Sequence, residues 1–519
     1  MSARIEGKLG RIRSGESPRL LDMFSGCGGF TLGFESAGFR SAGGIEADEN
    51  ARRVYAYNFH PDELERHTEE LLVEKEGGQL AIDQVRQRVG DRFEPRDAID
   101  VIAAGPPCPT FSRIGRAKLN FPHDRRKVER PAVIQKDLFL KDERNSLYES
   151  VFNYAEALEP VAVVVENVPG FLNQRGTNHG QILADRLVDL GYEVSYTLLN
   201  AAAYGVPQWR ERFFLIALHR SAGCGPPAFP APVRSLAGMP TGMMGLRRDA
   251  IRFIAGASLT PTRQEELFPL ENHWVPVPSS PDGAKPPVTV AEAFVDLPSL
   301  GPADLDGIQH RAVRWDRDDW RTGETIPYAG SGSGYGKEMR SWNADAGADG
   351  ILGLQHIARN TTSESGRDRR IFAEMAQGDG YPEAIQHAKR LFEDHIRAEG
   401  LDPDRDEKEI ERLRADFIPP YPEDKFLTKW KRLRLDSPTH TLTAHLSKDS
   451  YSHIHPTEHR MITVQEAARL QSFPDSFRFR TSMSGAFRQI GNSVPPLVSR
   501  AIGTCLLDQI RSRVHTAST

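Results

Sequence analysis

Between Arg19 and Phe214, short apolar runs alternate with stretches of helical periodicity, and this alternation constrains the fold more than any other feature of the chain. The runs RLLDMF, SAGGIEA, AIDVIAAG, VAVVVENV, YEVSYTLLN and RFFLIAL are rich in β-branched residues and bounded by glycine, proline or charge, as strands are. Between them, ENARRVYAYNF, IDQVRQRVG, SLYESVFNYAEALEP and QILADRLVDLG carry apolar residues at helical spacing. Strands that alternate with helices build a parallel, doubly wound α/β sheet. The pattern stops near Ala217, and the stretch to about Asp424 is richer in proline, glycine and polar residues. PYAGSGSGYGKEMRSW within it is Gly/Ser-rich, while HAKRLFEDHIRAEG and EKEIERLRADF read as charged surface helices. From Thr463 a helical pattern, TVQEAARLQSF, is followed by RQIGNSVPPLVSRAIGTCLLDQI, an apolar helix opened by a proline pair.

A chain of 519 residues exceeds one compact core and points to two or three domains. No apolar run approaches the roughly 20 residues that span a bilayer. The first residues, MSARIEGKLGRIRSGESPRL, are polar and basic and lack the apolar segment of a secretion signal, so a cytoplasmic location is expected. The four cysteines, Cys27, Cys108, Cys224 and Cys505, are too widely spaced for a CxxC metal site or a disulfide framework, and no metal is expected. The net charge of −5 means that any phosphate-binding surface must be a local patch.

Three places concentrate chemistry. The segment LLDMFSGCGGFTLGFESAGF reads as strand, glycine-rich turn and helix, a form that lets backbone approach a nucleotide-like ligand. Its glycines, Gly26, Gly28, Gly29 and Gly33, depart from GxGxxG, with Thr31 at the third glycine's place. Glu46 follows the next strand, where an acid can accept from both hydroxyls of a ribose. In AAGPPCPTFS, Cys108 stands just past a strand amid Pro106, Pro107 and Pro109, a collar that a merely buried thiol does not need. RIGRAKLNFPHDRRK beyond it holds six basic residues and one acid, a candidate phosphate patch or lid. Finally, VAVVVENVPGF ends a buried strand with Glu166 and Asn167, and YGVPQWRERFFLIA sets Arg210 and Arg212 two apart on one face of another. Either arginine could pair with Glu166 or hold a substrate oxygen, and the sequence does not choose between them.

In this order the motifs resemble the DNA cytosine-5 methyltransferase family, over Leu20 to about Leu215 and again Leu433 to about Ile502. DMFSGCGGF is similar to its first motif, and the resemblance implies that Phe24 lies against an adenine ring while Gly26, Gly28 and Gly29 hold a methionine portion. Glu46 matches the ribose-binding acid, and HTEEL resembles the third motif, with Glu70 where Asp is usual. GPPCPTFS resembles the catalytic motif, giving Cys108 the nucleophile's role and Pro107 a place beside the cofactor; Ala104, Pro109 and Thr110 depart from the usual residues. RNSLYESVF, ENV and QWRER look like the fifth, sixth and eighth motifs, the last two supplying Glu166, Arg210 and Arg212 as catalytic residues. RLDSPTHTLTA with RMITVQEAARLQSFPD resembles the ninth, and QIGNSVPP the tenth, with Ser493 where Ala is usual. In the family the tenth motif returns to the first domain, which implies that Asn492 and Val494 line the cofactor pocket.

What the resemblance implies is a Rossmann-like, S-adenosylmethionine-dependent methyltransferase domain with a smaller target recognition domain inserted: residues 1–218, then 219–477, then a returning 478–519. The implied reaction adds the Cys108 thiolate to carbon-6 of a flipped cytosine while an acid and an arginine polarise the ring, and methylates carbon-5. The expected partner is double-stranded DNA, with a restriction endonuclease sharing the site as a further candidate, and a monomer associated with the nucleoid is expected. An RNA cytosine-5 methyltransferase would not need the long region between the eighth and ninth motifs. A catalytically silent DNA-binding subunit would not need Cys108, Glu166 and both arginines together.

Overall fold

The computed structural model describes residues 3–60, 99–107, 147–173, 177–257, 273–295, 297, 366–420, 429–447 and 450–512. Two compact units are present: Met1–Pro287 with Ser493–Thr519, and Val288–Asn492.

The first unit is built on six strands: β1 (Arg19–Met23), β2 (Arg40–Ile45), β3 (Val101–Ala104), β4 (Ala162–Asn167), β5 (Tyr192–Asn200) and β6 (Glu211–His219). They lie in the order β2-β1-β3-β4-β6-β5. Each matches a run expected from the sequence to within a few residues at its ends. β1 pairs in parallel with β2 and β3, and β3 with β4, whereas β6 runs antiparallel to both neighbours. This corrects the expectation of an all-parallel sheet. Only ten residues separate β5 from β6, too few for the crossover that a parallel return requires.

The helices α1 (Ala3–Arg13), α2 (Gly29–Ser36), α3 (Glu49–Phe59), α4 (Glu149–Leu158), α5 (His179–Asp189) and α6 (Thr241–Ala257) belong to this unit. α3 covers the expected ENARRVYAYNF, and Asp48 caps it by accepting from the Ala51 amide. IDQVRQRVG lies outside the described residues. α1 occupies the leader that reads as merely polar: Ile5, Leu9 and Ile12, on one helical face, are buried. Lys8 is buried with them and donates Nζ to the carbonyls of Ile99, Leu158 and Glu159 at 2.6, 2.7 and 3.0 Å, satisfying the carboxyl end of α4.

The apolar helix opened by the proline pair, Pro496–Arg511, buries Leu497, Val498, Ile502, Leu506 and Ile510 and lies along α2. The seam is made of small residues at helical spacing: Gly29, Gly33 and Ala37 face Ser499 and Gly503. Ser499 Oγ donates across it to the Gly29 carbonyl at 2.9 Å. A Cβ on Gly29 or Gly33 would run into backbone of the returning segment, so the close approach requires glycine.

The second unit contains α7 (Val290–Phe294), α8 (Gly366–Glu374), α9 (Tyr381–Ala398), α10 (Glu407–Phe417), α11 (Val464–Leu470) and α12 (Met483–Asn492), which makes the proline-opened helix α13. Phe372, Tyr381, Ile385, Trp430, Ile454 and Met461 form its core. The two charged helices occur as α9 and α10, and α10 buries no residue. α11 is buried throughout, with Thr463 and Glu466 in a reciprocal capping box. Arg469 forms a buried two-bond pair with Asp475 at 2.8 and 2.6 Å. The two units meet at 287/288 and 492/493. Residues past 218 add to the sheet edge, where Tyr196 exchanges backbone bonds with His273 and Val275 at 2.9 and 3.0 Å. Residues 483–492 instead pack by Gly491 against Thr443.

Candidate active site

One row of the sheet aligns the site. Ile45, Met23, Ala104 and Val165 are register partners across β2, β1, β3 and β4. The residues immediately beyond them, Glu46, Phe24, Gly105 and Glu166, therefore share one carboxyl edge. The chain passes from β1 to β2 on one side and later to β3 on the other, so a topological switch point, where open α/β sheets bind ligands, falls at β1.

After β1 the backbone turns sharply through Phe24, Gly26 and Gly28, whose φ angles are +58°, +56° and +97°. A Cβ on Gly28 would lie 2.8 Å from Phe59 Cζ and 3.0 Å from Tyr55 Cδ2, because the aromatic face of α3 supports the turn. Among the described residues, a Cβ on Gly26 would meet nothing within 4 Å. Glu46 closes the turn: Oε2 accepts from the Gly26 amide and Oε1 from the Asp48 amide, both at 2.8 Å. Each oxygen keeps a lone pair for a diol, and burial raises the carboxyl above its usual range. These features fit the adenosyl and methionine ends of S-adenosylmethionine. Gly29 begins α2, and Ser493 and buried Val494 lie against it. Asn492 is exposed at the end of α12, in the second unit.

Beneath the turn is a buried polar chain that the sequence reading did not single out. Asp22 Oδ2 accepts from the Thr31 amide at 3.2 Å and from its hydroxyl at 2.8 Å. Thr31 Oγ1 lies 2.9 Å from the Tyr55 hydroxyl, which lies 3.0 Å from Ser41 Oγ. Burial pushes Asp22 up to about 7. An aspartate inside the apolar run RLLDMF was the available signal.

At the other end of the edge, Pro106 is buried and Pro107 exposed. Cys108 and Glu70, and the basic stretch RIGRAKLNFPHDRRK, lie outside the described residues. Burial raises the thiols of Cys27, Cys224 and Cys505, Cys27 to about 12, so none of these three is an activated nucleophile. Among the described residues, the one atom that a Cβ on Gly105 would approach within 4 Å is Glu166 Oε2, at 3.9 Å, so the end of β3 lies beside the acid.

The antiparallel course of β6 brings its first residues to this same edge, since Glu166 pairs with Phe214 and Arg212 lies two residues beyond. Arg212 Nε meets Glu166 Oε1 at 3.0 Å, with the two side chains 15% and 12% exposed. They are sheltered yet reachable. Burial raises the Glu166 pKa and Arg212 opposes that shift, and the carboxyl remains above its usual range. Arg212 Nη1 also donates to the Glu211 carbonyl at 2.7 Å. Arg210 is fully buried and donates Nη2 to the Ser493 carbonyl at 3.0 Å, tying β6 to the returning segment. Arg212 thus holds the acid directly, while Arg210 bonds to the C-terminal chain and acts on the acid through its charge.

The sequence matches the profile of C-5 cytosine-specific DNA methylase over residues 19–235 and 357–507. A protein of Oceanobacillus iheyensis named as a type II methyltransferase is 34% identical over 497 residues, 95% of this chain and 96% of that one. The type II methyltransferase M.AgeI of Thalassovita gelatinovora is 28% identical over 497 residues, 93% and 98% of the two chains. Among solved structures, a DNA modification methyltransferase encoded within an E. coli prophage shares the fold, with a TM-score of 0.53 at 21% identity over 96% of this chain and 100% of that one. With a profile match across both units and a relative similar over almost its whole length, the chain belongs to the C-5 cytosine-specific DNA methylase family.

Proposed function

We propose that this methyltransferase uses Cys108 as nucleophile, Glu166 as the ring-protonating acid and Arg212 as the group that holds the ring oxygen of a cytosine turned out of duplex DNA. The observation that carries the reading is the Glu166–Arg212 pair at the carboxyl edge, a raised carboxyl beside a guanidinium and only slightly exposed. Cytosine carbon-6 resists nucleophiles until the ring is polarised. A protonated Glu166 donating to ring nitrogen 3, with Arg212 at the exocyclic oxygen, draws charge toward that edge. The Cys108 thiolate then adds to carbon-6, and carbon-5 becomes nucleophilic. Methylation there, loss of the carbon-5 proton and expulsion of the thiolate complete the turnover. Because carbon-6 is closed inside a duplex, the base leaves the stack first.

Phe24, Gly26, Gly28, Gly29, Glu46 and Val494 would hold S-adenosylmethionine, with Glu70, Pro107 and Asn492 joining them as the resemblance implies. When bound, it supplies an electrophilic methyl group. Glu46 orients the ribose through its free lone pairs, and Arg210 fixes Ser493 and so the far wall of the pocket. Target recognition falls to the second unit, which the chain inserts before it returns to the first. The similarity to type II methyltransferases supports a place in a restriction-modification pair, with an endonuclease that cuts the same unmodified site.

Cys108→Ser is the decisive variant. It should bind S-adenosylmethionine as the wild type does and give no turnover; methyl transfer within tenfold of wild type would overturn the mechanism.

A further inference from the structure

Between the two arginines stands Glu211, which the alternation of β6 turns to the opposite face of the sheet. Its side chain is 2% exposed, and a carboxylate so buried is costly unless its oxygens are satisfied. Both are. Asn200, its register partner on β5, donates Nδ2 to Oε2 at 2.8 Å. Arg247, on α6, donates Nε to Oε1 at 2.8 Å. Asn200 Oδ1 is held in turn by the Ala202 amide at 3.1 Å, and the Met243 sulfur lies 3.3 Å from its Nδ2. α6 also packs on Pro169–Leu172, the turn that directly follows Glu166 and Asn167. Ala250 and Ile254 share a core cluster with Phe171 and Leu172. One helix thus braces the strand that carries the arginine and the turn that follows the acid.

The Glu211 backbone carries this bracing to the site. Its carbonyl accepts from Arg212 Nη1, and Arg212 Nε meets Glu166. We infer that Arg247 is a positioning residue for methyl transfer: by clamping the Glu211 carboxylate it fixes the carbonyl that aims Arg212, and through Arg212 it sets the place and protonation of Glu166. The inference rests on the reading of Glu166 as the acid. Without Arg247, the Glu211 carboxylate must turn toward water. The first residues of β6 then follow, and misplacement of a catalytic group by about 1 Å can slow a reaction by roughly 10²-fold.

The test uses the full-length chain, labelled S-adenosylmethionine and mixed-sequence duplex DNA under single-turnover conditions across a pH series. Arg247→Met alone leaves a buried charge without its partner, so the informative variant is Glu211→Gln with Arg247→Met, which removes both charges and preserves the fold. This double variant should unfold near the wild-type temperature and bind S-adenosylmethionine within about twofold. It should transfer methyl at least about tenfold more slowly, and its loss of rate with pH should move to higher pH as Arg212 loosens from Glu166. Arg247→Lys should recover part of the rate. A double variant with wild-type rate and pH profile would overturn the inference and leave the pair a purely structural role. Glu166→Gln, run beside it, separates the two levels. If Glu166→Gln is slow and the double variant is not, only the positioning role falls; if Glu166→Gln keeps the wild-type rate, the acid assignment falls and the inference with it.

Discussion

Gly33→Ala places a methyl group in the seam between α2 and α13, where the new carbon would lie 2.5 Å from the Arg500 amide nitrogen and closer still to Ser499 Oγ and the Pro496 carbonyl. To reach the 3.4 Å of ordinary contact with that nitrogen, the helix backbones must part by about 0.9 Å. Overpacking of this kind costs about 1–3 kcal/mol. Parting the helices also weakens the Ser499–Gly29 hydrogen bond, a further loss of about 1 kcal/mol. Alanine's higher helix propensity returns about 1 kcal/mol, which leaves a net destabilisation of about 2 kcal/mol. Gly7→Ala makes the same chemical change on the exposed face of α1, where the new carbon meets nothing within 4 Å among the described residues. It should stabilise by up to about 1 kcal/mol. Urea unfolding of both variants reads the two signs directly, and titration calorimetry should show about tenfold weaker S-adenosylmethionine binding for Gly33→Ala alone, since Ser493 and Val494 move with α13. If Gly33→Ala proves as stable as the wild type, the returning helix is not seated as tightly as its geometry requires.

Other expectations follow from the buried charges. Glu166→Gln should slow single-turnover transfer by roughly 10²-fold or more while DNA binding persists. Because the protonated carboxyl is the working form and its pKa is raised, the wild-type rate should fall as pH climbs through that pKa, and an unchanged profile in Glu166→Gln would argue against it. Asp22, raised from 3.8 to about 7, binds its proton more tightly in the folded chain than in the unfolded one. Its contribution is fully present below about pH 4 and lost as pH rises to about 7, so Asp22→Asn should gain on wild type across that window by up to about 4 kcal/mol in chemical denaturation. Asp475→Ala strands the buried Arg469 guanidinium and should destabilise the second unit by about 3–5 kcal/mol, seen as an earlier thermal transition. His453 and His455 are lowered to about 4 by burial, so that unit should weaken as pH falls from about 6.5 to 4, with proteolysis of its helices as the readout.

The strands were legible because a buried sheet writes itself as short β-branched runs, and YEVSYTLLN coincides with β5 residue for residue. The direction of β6 was not, because a strand's composition says nothing of its polarity; only the ten-residue link from β5 carried that information. The same limit kept Arg210 and Arg212 interchangeable. Alternation places both on one face, and the antiparallel register with β4 decides that Arg212 meets Glu166. α1 was hidden by its charges, although Ile5, Leu9 and Ile12 already mark one helical face. Lys8 escapes any pattern, since it binds carbonyls contributed by residues about 90 to 150 positions away. Arg247 is equally silent: it acts on a glutamate 36 positions earlier, from a helix with no motif.

Incubating the protein with labelled S-adenosylmethionine and mixed-sequence duplex DNA, or total RNA, and digesting the products to nucleosides shows which base receives the methyl group. The wild type should leave 5-methylcytosine in the DNA, and Cys108→Ser none. Label confined to RNA, or carried on any other DNA nucleoside, would contradict the assignment.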